Sequence, residues 1–522
     1  MLLGDLLAHQ ARVNPNRTAF SDEGTEISYA RFAKEAERYA AALRGLGLRR
    51  GDRVAILSRS SLAYAELLFA VPGAGGIALP LNPLLIPREL SERLSRSRAR
   101  IFLYAPEFEE TVAAMASILA GEIAVRCLGS SGGGFPPFPG DPLPPGPESS
   151  PLPVDRSDPG RDTALMVFSG GSTGRPSPAM LSHRNLLSAS ASAAIELRLS
   201  RNDRFLSCTP LPFIAGTGRL LRFLYVGATI LLRNRFDPEE VLETIGRHRV
   251  THLLLTPAMM AQILSVPGGE RHDLSSLRAV IYGGAAIPLD LLRRAVAFFR
   301  CGMVRSHGQI ESAGVLTFLH PEDHSLDESL SARRKLSSIG REAVGVEIRV
   351  VDGEGRPVGP DGVGEVVARG ENIFQGYFED PETTAETLRG EWLRTGEVAS
   401  IDEEGYLTPV DRLRDALTVD GFPVSPREIE SILAEHPAVA EAAVLGRPEY
   451  LLGEVPVAFV SLREGAHAGV EDLREHCRRN MAPFKVPREI VVTPKLPKNS
   501  AGKVLKAKLR NRMRTTPRTP PR

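Results

Sequence analysis

Cysteine is scarce and scattered. The 522 residues hold four (Cys127, Cys208, Cys301 and Cys477), and none pairs into Cys-x-x-Cys. That excludes a disulfide framework and a zinc ribbon, and leaves isolated thiols suited to a reducing compartment. Net charge is equally slight. With 64 Lys and Arg against 63 Asp and Glu the balance is +1, so no overall field favours nucleic acid or an anionic membrane. Long uninterrupted apolar runs are missing too. Leu67 to Ile86 is broken by Pro72, Pro80 and Pro83 and by Gly73, Gly75 and Gly76, and Leu211 to Leu232 carries Arg219 and Arg222. Both read as buried strands and helices, so no integral membrane segment is expected. The opening Met1-Leu-Leu-Gly-Asp-Leu-Leu has no basic n-region and meets Asp5 early, which argues against a secretory signal. A cytoplasmic protein with no nucleic-acid partner is expected.

What is present is an ordinary globular composition, 42% hydrophobic and 24% charged, over a length that predicts about two to four domains. Short apolar runs at Asp52–Leu57, Gly76–Leu81, Ile101–Tyr104, Ala164–Phe168, Phe205–Cys208, Thr229–Leu232, Thr251–Leu255 and Ala279–Tyr282 alternate with helix-period segments. That alternation predicts an α/β fold with mostly parallel, doubly wound sheet. Residues 129–160 are crowded with Pro, Gly and Ser and read as a flexible connection. From Val344 the pattern becomes period two, as in a small antiparallel β-barrel or sheet. Beyond residue 413 a smaller α+β unit is expected over 414–510. There Ser425-Pro-Arg-Glu428 reads as a capping box, and an unstructured Arg/Thr/Pro-rich tail follows over 511–522.

Phe168 to Asn185 reads Phe-Ser-Gly-Gly-Ser-Thr-Gly-Arg-Pro-Ser-Pro-Ala-Met-Leu-Ser-His-Arg-Asn. A strand ending in Ser169, Gly170, Gly171, Ser172, Thr173 and Gly174 exposes successive backbone N–H groups, which suits phosphate oxygens. Ser182 is a candidate N-cap for a following helix. No Gly-Lys-Ser/Thr follows, so this is not a Walker A loop. An ordinary surface turn has the same composition, and the loop alone leaves both readings open.

The loop resembles the phosphate-binding loop of the adenylate-forming superfamily, and other stretches resemble that family's motifs in the same order. They are Gly283-Gly-Ala285, His307-Gly-Gln-Ile-Glu311, Gly364-Glu followed by Gly376-Tyr and Pro381, Trp392-Leu-Arg-Thr-Gly-Glu397, Asp411-Arg412 and Pro497-Lys-Asn-Ser-Ala-Gly-Lys503. Val419-Asp-Gly-Phe422 and Leu81-Asn-Pro-Leu-Leu-Ile-Pro are similar to the fatty-acyl and acyl-CoA ligase branch.

The resemblance implies a large AMP-binding domain over 1–413 and a mobile lid over 414–510 hinged at Arg414. It implies ATP, Mg²⁺ and coenzyme A as participants. Ser169 to Gly174 would hold phosphates, and Gly283, Gly284 and Ala285 would lie along adenine. His307, Gly308 and Gln309 would complete the nucleotide site, with Glu397 and Arg412 on ribose. Thr173 and Glu311 would hold Mg²⁺, and Lys503 would bridge the reacting carboxylate and the α-phosphate. Gly421 would border the thiol channel, and Phe213 and Pro257 the acyl pocket.

Several residues depart from the family pattern. Ser177 and Pro178 stand for its Lys and Gly, with Arg175 supplying a cation earlier. Ile310 stands for Thr, His307 for an aromatic Tyr, Glu397 for Asp, Phe213 for His and Thr418 for Lys. Loss of one oriented donor costs about 10²–10³ in rate, so reduced activity is an expectation. The implied reaction joins a carboxylic acid, expected to be fatty or hydrophobic, to CoA through an acyl-adenylate. An acyl carrier protein or an amine as acceptor, and a non-catalytic nucleotide- or acyl-binding member, are the alternatives.

Overall fold

The computed structural model describes every residue except 23, 116–118, 120–122, 130–135, 139–159, 170–175, 285–286, 328, 413–416, 498–503, 505 and 516–522. The N-terminal part is built on two large sheets. A nine-stranded sheet runs Arg341–Glu342, Thr317–Leu319, Gly302–His307, Ala279–Tyr282, His252–Leu255, Arg204–Ser207, Thr229–Leu232, Thr18–Asp22, Thr25–Ser28. Its interior pairs, from Gly302–His307 through to Thr18–Asp22, are all parallel. Helices Ile214–Tyr225, Pro238–His248 and Leu289–Phe299 cross over between them. Strands His252–Leu255 and Ala279–Tyr282 are buried at every position, which is why they read as unbroken apolar runs. Side-chain alternation sorts the two faces. Phe205 stacks on Phe223 of the Ile214–Tyr225 helix at 4.4 Å, whereas Leu206 packs with Val241, Leu242 and Leu291 on the other side.

The second sheet has eight strands: Gly376–Tyr377, Ser177–Ser182, Thr163–Ser169, Ile77–Pro80, Arg53–Leu57, Ala99–Tyr104, Ala124–Leu128 and Pro137–Phe138. Thr163–Ser169 pairs antiparallel with Ser177–Ser182, so the Ser/Gly loop joins a hairpin. Helix His183–Glu196 then starts at Ser182, whose side chain accepts from Asn185 N as its N-cap. Within the stretch read as a flexible connection, Pro137–Phe138 forms a strand beside Cys127 and Leu128. The cause is Phe138, 2% exposed and 5.8 Å from the Tyr39 ring.

The period-two region forms an antiparallel five-stranded sheet of Val346–Val351, Val363–Gly370, Trp392–Ile401, Leu388–Arg389 and Leu407–Arg412. The smaller C-terminal unit has its own five-stranded sheet, with helices Pro426–Ala434 and Val470–Asn480.

The Ser425 capping box is not made. Ser425 is the N-cap residue, yet it has no side-chain cap bond, because Glu428 is drawn instead to Lys485 and Arg93. Helix Lys506–Thr515 occupies the start of the stretch expected to be unstructured, with Leu509 buried beside Leu445, Phe459 and Leu496. Among the described residues no helix is long and apolar enough to cross a membrane.

Candidate active site

The C-terminal ends of the parallel strands gather the predicted residues, as open α/β sheets require. Gly283 and Gly284 follow strand Ala279–Tyr282, and a Cβ on Gly283 would lie 2.3 Å from the Ser306 carbonyl oxygen. Only glycine lets those strand ends approach so closely. His307 ends its own strand, and Gly308 and Gln309 lead into the short turn Ile310–Ser312. His307 Nε2 lies 2.7 Å from Glu397 Oε2, each side chain 24% exposed. The adenine-segment and ribose-segment candidates, 90 residues apart in sequence, are thus in direct contact.

Glu397 is braced from behind. Arg394 pairs with Glu365, Glu365 accepts from Gly396 N at 3.2 Å, and Thr395 Oγ1 donates to Val366 O at 2.7 Å. The Arg412 backbone lies opposite Glu397 in the register of the two strands; its side chain is outside the described set.

Glu311 is 6% exposed, and Tyr377 OH donates to its Oε1 at 2.6 Å. Phe374 N donates to the Glu311 carbonyl at 2.9 Å. The Gly376-Tyr377 motif therefore orients the carboxylate. Among the described residues its second oxygen has no hydrogen bond, and no cluster of three or more His, Cys, Asp or Glu forms a cage. One oriented carboxylate with a free oxygen fits Mg²⁺ held jointly with substrate phosphates, and does not fit an all-protein metal site.

Ser169 ends its strand at 4% exposure, and its Oγ has no partner among the described residues. Gly170, Gly171, Ser172, Thr173, Gly174, Ala285, Arg414 and Lys503 lie outside the described residues. Of the divergent positions, Ser177 Oγ donates to Asp380 Oδ2 at 3.0 Å, and Ile310 packs into the core at 9% exposure.

The small unit reaches the strand ends through the hairpin Leu417–Val419 and Phe422–Val424. Its turn has Asp420 at φ 48° and Gly421 at φ 81°, the left-handed pair of a tight Asp-Gly hairpin. Gly421 Cα lies 3.7 Å from the Cβ position of Gly284, and a Cβ on Gly421 would lie 3.6 Å from Thr256. Phe422 contacts Phe213 with ring centroids 4.7 Å apart. Pro257 is buried as the first residue of helix Pro257–Ile263.

A buried charge cluster on the same interface was not anticipated from sequence. Lys485 Nζ donates to Glu89 Oε1 at 2.5 Å and to Glu428 Oε1 at 2.9 Å, and Arg93 Nη2 reaches Glu428 at 3.2 Å. Burial works to raise the Glu428 carboxyl, but Lys485 and Arg93 outweigh it and hold the group below its usual range. Glu89 also accepts from Ile86 N, capping its own helix. Glu at the third position after Ile86 was a readable cap signal; its second partner, 396 residues away, was not.

Comparison with known proteins agrees with this geometry. Residues 7–378 match the AMP-binding enzyme family and residues 428–503 the AMP-binding enzyme C-terminal domain. A feruloyl-CoA synthase from Amycolatopsis sp is 36% identical over 98% of this chain and 99% of its own. The amide bond synthetase McbA from Marinactinospora thermotolerans has TM-score 0.87 at 29% identity, covering 98% of this chain and 99% of that one. The o-succinylbenzoate CoA synthetase MenE of Bacillus subtilis, as a double mutant bound with a product analogue, has TM-score 0.83 at 26% identity over 97% and 98% of the two chains. With AMP, or with ATP and magnesium ion, MenE scores 0.67 and 0.68. The chain belongs to the AMP-binding enzyme family, as an adenylate-forming ligase of the acyl-CoA ligase branch.

Proposed function

We propose that the protein is an ATP-dependent acid–thiol ligase. A carboxylic acid attacks the α-phosphate of ATP, giving acyl-AMP and pyrophosphate; the CoA thiol then attacks the acyl carbon and expels AMP. The observation that carries this reading is the His307–Glu397 pair and the oriented Glu311 at the strand ends, with the Gly421 tip of the small unit beside Gly284 at the same edge.

His307 and Glu397, with Arg412, would grip adenine and ribose, with Gly283 to Ala285 and Gly308–Gln309 forming the adenine wall. Ser169 to Gly174 would cradle phosphates with backbone N–H groups. Mg²⁺ at Glu311 and Thr173, when bound, neutralises charge on the phosphates. Lys503 would hold the carboxylate against the α-phosphate, countering the repulsion of two anions. Arg414 is the proposed hinge between a unit over 1–413 and a lid over 414–510. The higher MenE score with the product analogue supports reading the present arrangement, with Gly421 beside Gly284, as the one that serves thiol transfer. Phe213 and Pro257 would line the start of a pocket for the apolar body of the acid.

A second reading changes the acceptor to an amine, and the likeness to an amide bond synthetase favours it. Pyrophosphate release with ATP and Mg²⁺ is measured over a panel of acids, with and without CoA or amines, beside Lys503→Ala. Acid-dependent release that needs Lys503, and an acyl-CoA product, are expected. Amide formation without thioester would select the second reading. No acid-dependent release from folded protein would refute both.

A further inference from the structure

The Ile214–Tyr225 helix carries Arg219 and Arg222, three residues apart and 5% and 1% exposed. Residues at that spacing are neighbours on a helix surface. Arg222 Nη2 donates to the carbonyls of Ala313 and Gly314 at 3.3 and 3.0 Å, just beyond Glu311. Its Nε and Nη1 have no partner among the described residues, and neither has Arg219 Nε. Among the described residues no carboxylate pairs with either guanidinium, and Arg219 has neither hydrogen bond nor ion pair. Burial alone pushes the Arg219 guanidinium down to about 10.

The same layer holds other unsatisfied groups. Phe205 faces this helix through Phe223, so Ser207, two residues on, lies on the helix-covered face. Its Oγ is buried and has no partner among the described residues, and the same holds for Ser306 Oγ and Gln309 Nε2 at the end of strand Gly302–His307, three strands across the same sheet. An unpaired buried charge is among the costliest features a fold retains, and each unsatisfied polar group beside it adds to the cost. Ordinary packing does not account for the set; an anion arriving from outside the chain does.

Which anion follows from the topology. Strands Arg204–Ser207 and Thr229–Leu232 are parallel, so the helix joining them runs back from the ligand-bearing edge toward the opposite one. At 1.5 Å per residue Arg219 stands about 9 Å along the axis beyond Phe213. The reacting carboxylate belongs at the strand ends with Glu311 and Ser169. We propose that the acyl pocket is built for a dicarboxylic acid, whose distal carboxylate is received by Arg219 with Arg222 beside it, while Ser207 and Ser306 line the wall nearer the strand ends. The proposal rests on the adenylation reading above.

The test compares kcat/KM for pyrophosphate release with α,ω-dicarboxylates from succinate to sebacate and with benzene dicarboxylates. Each is set beside its methyl-terminated analogue of equal length. The best dicarboxylate should exceed its analogue by about 10- to 100-fold, the range of one charge-assisted hydrogen bond. Arg219→Leu should abolish or invert that ratio, and Arg219→Lys should keep part of it. A wild-type preference for the methyl-terminated acids overturns the proposal. So does an equal loss of both members of each pair in Arg219→Leu, which would put Arg219 on the reacting carboxylate or the nucleotide. If Arg219→Leu does not fold, the wild-type ratio and Arg219→Lys decide. If no acid releases pyrophosphate, adenylation itself fails, and the polar end is read by melting. Millimolar dicarboxylate should raise the wild-type Tm while the analogue does not; no rise overturns this proposal as well.

Discussion

Lys485→Met should separate the two half-reactions. Lys485 sits between Glu89 of the large unit and Glu428 of the small one, with side-chain exposures of 4%, 6% and 15%. Methionine keeps the stem and removes the cation, leaving two buried carboxylates with Arg93 alone to answer them. Breaking a buried pair on one side costs about 3–5 kcal/mol. Because Glu89 belongs to the other unit, that cost falls on the docked arrangement, a shift of about 10²–10³-fold or more in its population. The exposed Arg88–Glu435 pair on the same face, at 52% and 41%, is worth about 0–1 kcal/mol and makes the control.

The assay is ATP–pyrophosphate exchange beside single-turnover transfer from preformed acyl-adenylate to CoA. Transfer should slow by about 10²-fold in Lys485→Met, with exchange little changed and Arg88→Ala close to wild type. Glu89→Gln should share the effect, and the double variant should be non-additive. Wild-type transfer in Lys485→Met, or parallel loss of both steps with an unchanged melt, would refute the reasoning.

Glu311→Gln removes the oriented carboxylate but keeps a hydrogen bond to Tyr377 OH; adenylation should fall by about 10²–10³-fold in stopped-flow pyrophosphate release. Glu397→Ala removes a charged partner for ribose and should raise the KM for ATP by about 10-fold or more, read in steady-state kinetics. Gly421→Ala strains a residue at φ 81° beside Thr256 and should lower stability by about 1 kcal/mol in chemical denaturation. Two buried-group windows overlap, and two histidines outweigh one carboxyl where they do, so stability should peak near the upper end of the histidine window, about pH 6.5. Burial, helped by Glu35, raises Glu66 to about 8 from 4.5, so the native state holds more protons and stability falls as pH rises across that range. Burial lowers His183 and His324 to about 4 from 6.5, so stability falls as pH drops across that lower range. Melts from pH 4 to 9 check both, and Glu66→Gln should flatten the alkaline side.

Residue types and local order alone were enough for the α/β alternation, the Ser182 cap, the turn to antiparallel sheet after Val344 and the motif order from Ser169 to Lys503. These features depend on φ/ψ preference, burial of apolar runs and spacing, all local to a segment. Local signals failed where a distant partner outbid them. Phe138 became a strand residue because Tyr39 and the core lay beside it, and Glu428 left its cap for Lys485 and Arg93. The active-site contacts are of the same kind. Nothing near His307 announces Glu397, nothing near Glu89 announces Lys485, and a helix with Arg219 and Arg222 looks like any helix until both are buried without an anion. Whether a charge is solvated, paired or waiting for a ligand depends on the water excluded around it, and only the tertiary structure decides that.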